Sequence, residues 1–214
     1  MEFIMRKRST LQGIDISHWE GKINFRHVRQ SGIRIVYIKA TQGTNYVDPD
    51  FERNYREAYK ENLDVGFYHY VTATSTKEAR EEAIFFASKI KDKVQYARAA
   101  MDFESFGDLT TSEVREIALH FLRTLEDEIK YRPVIYSDSS NASTRFDDSQ
   151  LVQYPLWIAD YGVVRPDMEN RWSKWSGWQY TDKGRVRGIS GEVDRNRFRH
   201  DILISEPKAP STTC

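Results

Sequence analysis

The chain has 214 residues, a length that suits one sizeable domain with a full hydrophobic core. Lys+Arg and Asp+Glu each number 32, so the formal net charge is zero, which argues against a nucleic-acid partner held by a basic face. No apolar run approaches the roughly 18–20 residues of a membrane-spanning helix, and a single cysteine, Cys214, rules out a disulfide framework.

Residues 1–10 are basic, with no long apolar region after them. They read as an N-terminal tail and not as an ordinary secretory signal. Gly13-Ile14-Asp15-Ile16-Ser17 reads as a short strand that places an acid early, and residues 23–30 as a short helix stopped by Ser31-Gly32. Residues 33–40 are β-branched and nearly continuously apolar, as in a parallel sheet covered on both faces. Asp48-Pro49 predicts an N-cap and first helical residue, opening a helix to residue 62 with Phe51, Tyr55 and Tyr59 on one core stripe.

Residues 65–71 form the third predicted strand. A helix capped by Thr76 follows, with Ala79, Ala83, Phe86 and Ile90 on its inner face and the charge run from Lys77 to Glu82 on a solvated face. Residues 96–103 predict a fourth strand, and Thr110 with Glu113 matches a capping box for a helix to residue 130. Residues 133–137 are the fifth strand, and this alternation indicates parallel α/β architecture. Strands at 156–161, 177–181 and 192–196 then follow without long helices between them, with a hairpin turn at Asp182-Lys183-Gly184. About eight strands are enough to close a barrel. Residues 206–214, with two prolines and Ser-Thr-Thr, read as a C-terminal tail or the start of a linker, leaving 11–205 as the domain.

The chemistry centres on Ala99-Ala100-Met101-Asp102-Phe103-Glu104. Side chains alternate along a strand, so Asp102 and Glu104 point to one side. Adjacent carboxylates raise the cost of ionising both, so one keeps its proton near neutral pH. A protonated carboxyl can protonate a leaving oxygen, as glycoside hydrolysis requires. A strand end with two solvated acids is the competing reading of the hexamer alone. In parallel α/β barrels the C-terminal strand ends carry the chemistry, and there Asp15, Lys39, Tyr68, His69, Asp102, Glu104, Tyr136, Trp157, Asp160, Tyr161, Gln179 and Asp194 converge. Acids, flat rings and amides together make a sugar-cleft composition. Each residue has a plainer role available. Asp15 can cap a segment or pair with Lys39, Asp194 can form an Asx turn, and Tyr68 and Tyr136 can simply pack the barrel. His18 and His69 read as hydrogen-bonded structural residues. The histidines are too scattered for a metal-ligand spacing, so neither metal nor cofactor is expected.

At this point the chain resembles the glycoside hydrolase family 25 lysozymes, which are N-acetylmuramidases. The resemblance rests on Gly13-Ile14-Asp15-Ile16-Ser17, Tyr37-Ile38-Lys39-Ala40-Thr41-Gln42-Gly43, Gly66-Phe67-Tyr68-His69-Tyr70 and Met101-Asp102-Phe103-Glu104. It continues in order through Ile135-Tyr136-Ser137, Leu156-Trp157-Ile158-Ala159, Trp178-Gln179-Tyr180 and Val193-Asp194-Arg195-Asn196-Arg197-Phe198. It implies an irregular (β/α)5(β)3 TIM-like barrel that cleaves the β-1,4 bond between N-acetylmuramic acid and N-acetylglucosamine. It further implies Glu104 as general acid, Asp102 beside it raising its proton affinity, and Asp15 and Asp194 at the cleft floor. Tyr68, Tyr136, Trp157 and Gln179 are then expected on the sugar, with Lys39 and Tyr161 in the same substrate-binding set. Many members carry another acid near the position of Glu104; here Ser105-Phe106-Gly107 follows.

The expected partner is the glycan strand of bacterial peptidoglycan, reached by secretion or by endolysin-like release from the cytoplasm. A chitinase-like hydrolase of N-acetylglucosamine polymers and a non-catalytic wall-binding module are the rival readings. For the enzyme, two routes fit. The substrate acetamido group can attack the anomeric carbon with help from Asp102. Alternatively a carboxylate acts directly, as a nucleophile at about 5 Å or as a base at roughly 6.5–9.5 Å.

Overall fold

The computed structural model describes residues 10–208. The chain begins with β1 (Leu11–Ile16), α1 (Phe25–Gln30), β2 (Ile35–Gln42), β3 (Tyr46–Val47), α2 (Phe51–Lys60) and β4 (Asp64–Tyr70). It continues with α3 (Thr76–Ile90), β5 (Gln95–Ala97), β6 (Ala100–Asp102), α4 (Thr111–Ile129), β7 (Val134–Asp138) and α5 (Ser139–Thr144). It ends with β8 (Leu156–Ala159), β9 (Gly177–Gly184), β10 (Val193–Phe198) and β11 (Leu203–Lys208).

Eight of these strands close into a barrel in the order β1-β10-β9-β8-β7-β6-β4-β2, with β2 returning to β1. Neighbours run parallel except β10, which is antiparallel to both β1 and β9. This is the expected irregular barrel of five strand–helix units and three strands. The reversal of β10 brings its first residues, not its last, to the mouth where the parallel strands end.

Alternation along the strands sorts the core into two shells. On β2, Val36 and Ile38 face the surrounding helices, while Ile35 and Tyr37 join the smaller cluster of Val134, Trp157 and Phe198 inside the barrel. Tyr37, Trp157 and Phe198 pack there with ring centroids 4.5–5.5 Å apart. Gly13 and Gly177 make room for them: a Cβ on Gly13 would lie 2.3 Å from the Phe198 ring, and one on Gly177 2.7 Å from the Trp157 ring.

Several local expectations need correction. The strand predicted over 96–103 is two strands: β5 leaves the barrel to pair with β11, and only β6 joins β4 and β7. Between them the Arg98 carbonyl accepts from Tyr37 Oη at 2.8 Å and the Arg98 guanidinium reaches the Asp201 and Arg132 carbonyls, which fixes the break. Asp182-Lys183-Gly184 is not a turn, because β9 runs to Gly184 and pairs with Val193. Asp48 does not cap α2; it accepts from the Asp50 amide and from His18. Tyr59 lies outside the core stripe, 42% exposed. Glu82 is not solvated: it is buried and bound to His69 and Thr72. β11 carries regular structure past residue 205, while residues 1–9 and 209–214 of the expected tails lie outside the described residues.

Candidate active site

A cleft of about 210 Å³ opens at the barrel mouth. Asp15, Lys39, Tyr68, Asp102, Glu104, Tyr136, Trp157, Gln179 and Asp194 all line it. Of the twelve residues placed at the mouth from the sequence, these nine are brought together; His69, Asp160 and Tyr161 do not line the cleft. Tyr161 is exposed and donates its hydroxyl to Gln179 Oε1, while Asp160 accepts from the Asp167 amide at 2.9 Å.

Asp102 is the last residue of β6 and is buried. Glu104 lies beyond the strand and is exposed. Alternation still holds past the strand end, because the intervening Phe103 turns the other way into a cluster with Phe106 and Phe146. Ser105 is tied to Tyr70, oxygen to oxygen at 2.7 Å. Glu104 is thus gripped on both sides by anchored neighbours.

Burial, and next the charge of Glu104, raise the Asp102 carboxyl well above the usual carboxylate range. The strand spacing leaves open which of the two acids keeps a proton, and the raised Asp102 carboxyl is the one that favours it. Burial decides this, and the pair spacing alone does not carry it. Asp102 Oδ1 is buried without a hydrogen-bond partner among the described residues, which a neutral carboxyl tolerates better than a charged one. Lys39, half-buried, opposes the shift; its ammonium donates to Gln42 Oε1 at 2.8 Å and lies 4.9 Å from the Tyr70 ring centroid.

A second acid pair comes from strand pairing, since Asp15 and Asp194 stand directly opposite each other on β1 and β10. Burial raises Asp15 to about 6, against the hydrogen bonds it accepts from Asn196 and Gln179. Burial and then the charge of Asp15 push Asp194 up to about 9. At neutral pH this pair also keeps one proton, on Asp194.

Asp15 is held by a chain of donors. Gln179 Nε2 donates to both its oxygens at 3.1 Å, and Asn196 Nδ2 donates to Oδ2 at 2.7 Å. Tyr136 Oη donates to Gln179 Oε1 at 2.8 Å, and Trp157 Nε1 to Asn196 Oδ1 at 2.8 Å. The polar groups of Gln179 and Trp157 are thus engaged in fixing Asp15. Tyr68 hydroxyl faces the cleft near Asp15 and Asp102, and burial with those charges raises it well above the usual phenol value.

Asn196 and Trp19 were not anticipated as site residues. Asn196 lies two positions after Asp194, so strand alternation was the available signal. Trp19 lines the cleft while 82% exposed, and nothing in an isolated His-Trp dipeptide marks it. His69 is structural as expected, buried between Thr41 Oγ1 at 2.7 Å and Glu82 Oε2 at 2.9 Å.

The glycosyl hydrolases family 25 profile matches residues 14–189. Lysozyme M1 of Streptomyces globisporus is 34% identical over 205 residues, covering 89% of this chain and 68% of that protein. The autolytic lysozyme of Clostridium acetobutylicum is 34% identical over 199 residues, covering 91% of this chain and 57% of that protein. The crystal structure of the bacterial lysozyme from Streptomyces coelicolor superposes with a TM-score of 0.79 at 34% identity, covering 89% of this chain and 92% of that one. A profile match that spans all five strand–helix units and most of the closing strands, on a shared barrel, places this chain in glycosyl hydrolases family 25.

Proposed function

We propose that the chain is a muramidase. It hydrolyses the β-1,4 bond between N-acetylmuramic acid and N-acetylglucosamine in bacterial peptidoglycan, with Glu104 as general acid, and so acts at the bacterial cell wall. The observation that carries this reading is the Asp102–Glu104 pair: one carboxyl buried and proton-holding, the other beside it and open to the cleft. The lysozyme names of its relatives support the substrate.

The pair works as follows. A sugar entering the cleft displaces water from Glu104, and loss of water raises the proton affinity of a carboxylate. The proton passes from Asp102 to Glu104, leaving Asp102 ionised. Asp102 then accepts the N–H of the substrate 2-acetamido group and turns its carbonyl oxygen toward the anomeric carbon. Glu104 gives its proton to the glycosidic oxygen as the C1–O bond breaks, and the acetamido oxygen bonds to C1. Water next gives a proton to Glu104 and adds to C1, which reopens the acetamide. The direct carboxylate route is less favoured, because Asp194 holds its proton and Asp15 has both oxygens engaged by amides. Asp15 instead sets a fixed negative charge against the positive charge that develops at the anomeric carbon.

Glu104→Gln keeps the shape and loses the proton. Its rate of wall lysis is expected to fall by about 10²–10⁴-fold, the usual contribution of a general acid, while binding to purified walls is unchanged. Undiminished lysis would remove Glu104 from the role. Proton NMR of the first-formed product separates the routes: the β-anomer is expected, and the α-anomer would eliminate acetamido attack.

A further inference from the structure

The cleft does not end at the acids. Trp19 and Lys39, which edge it, also edge a second groove of about 450 Å³ that reaches the β2–β3 hairpin. Gln42, Asn45 and Tyr46 line this second groove. Tyr46 is 38% exposed and takes no part in lining the catalytic cleft.

An indole left 82% exposed gives up the burial that usually stabilises it. This one is nevertheless held firmly. It sits on a 3-10 turn closed by a capping box between Ser17 and Glu20, and its own amide donates to Ser17 Oγ at 3.2 Å. Its ring lies 4.5 Å from the His18 ring, and His18 is pinned by the buried Asp48 through both its Nδ1 and its backbone amide. A rigid, exposed aromatic face suits a ligand with a flat apolar face of its own. Two rings with two neutral amides match a pyranose, whose C–H face stacks and whose hydroxyl and acetamido groups hydrogen-bond. Among the described residues Lys39 is the only ammonium or guanidinium group on the groove, and it already donates to Gln42 and lies over Tyr70. A peptide stem carrying carboxylates would find no unengaged cation there.

We infer that this groove is a further sugar subsite, which takes an N-acetylhexosamine ring of the same glycan strand beyond those at the acids. The inference rests on the muramidase reading and adds to it a preference for longer strands.

The test is Tyr46→Ala in the full chain, assayed on peptide-free glycan oligosaccharides of increasing length and on strands bearing stem peptides. The specificity constant on long strands is expected to fall about 5- to 10-fold, the scale of one lost stacking contact. The shortest cleaved oligosaccharide should be hydrolysed as fast as by wild type, and Tyr46→Trp should restore the preference. An equal loss at every length, or no loss at any, would overturn the subsite. A loss confined to stem-bearing strands would overturn it in favour of a peptide groove. Failure of the wild type on every glycan would instead sink the underlying muramidase reading, and the subsite with it.

Discussion

Asp15 and Asp194 show how a single pairing sets the electrostatics of the mouth. Each folded-state pKa is raised above the ordinary 3.8, to about 6 and about 9. The folded state therefore binds protons more tightly than the unfolded chain. The contribution of this pair to stability is full below pH 3.8 and is lost as pH rises, first through about 6 and then through about 9. Asp194→Asn removes the second ionisation. Its denaturation midpoint should match wild type near pH 4 and exceed it near pH 9; an equal difference at both values would contradict the raised pKa. Sequence spacing made the Asp102–Glu104 pair legible, since alternation needs only a strand. Which partner keeps the proton was not legible, because burial of Asp102 comes from strands far away in the chain. Asn196 was within reach of the same alternation rule, two residues from Asp194.

At the scale of elements, α3 and β4 are locked together by Glu82. Its carboxylate accepts from the Thr72 amide and hydroxyl and bonds the buried His69 ring. Burial lowers the His69 pKa, so the ring is neutral and its hydrogen bonds must be met by Thr41 and Glu82. Glu82→Ala strands these donors and should cost about 1–3 kcal/mol, the penalty for buried polar groups left unsatisfied; urea unfolding would measure it, and a change under 0.5 kcal/mol, about that of an exposed surface site, would contradict the packing. The charged run around Glu82 hid this role. Its position on the Ala79, Ala83 and Phe86 stripe was the better guide, since helical period outranks residue type. α4 was legible throughout, because its capping box and apolar stripe agree. The division of β5 from β6 was not, because the partner that draws β5 away is β11, about a hundred residues later.

For the molecule as a whole, counting strand–helix units was enough to predict a closed barrel, but not the direction of β10, on which the Asp15–Asp194 pairing depends. Closure also depends on the rings of Tyr37, Trp157 and Phe198 fitting against glycine. Gly177→Ala sets a methyl within 2.9 Å of both Trp157 and Phe198. It should destabilise the fold by about 1–3 kcal/mol through overpacking, read as a lower denaturant midpoint; an unchanged midpoint would mean the interior has slack. Above all, the closed barrel delivers two acid pairs to one mouth, and the proposed function assigns them a joint product, a specific cut. Digestion of purified peptidoglycan, borohydride reduction and mass analysis of the new reducing ends reads that cut directly. Muramitol ends are predicted for the wild type and none for Glu104→Gln; glucosaminitol ends, or muramitol undiminished in the variant, would contradict it.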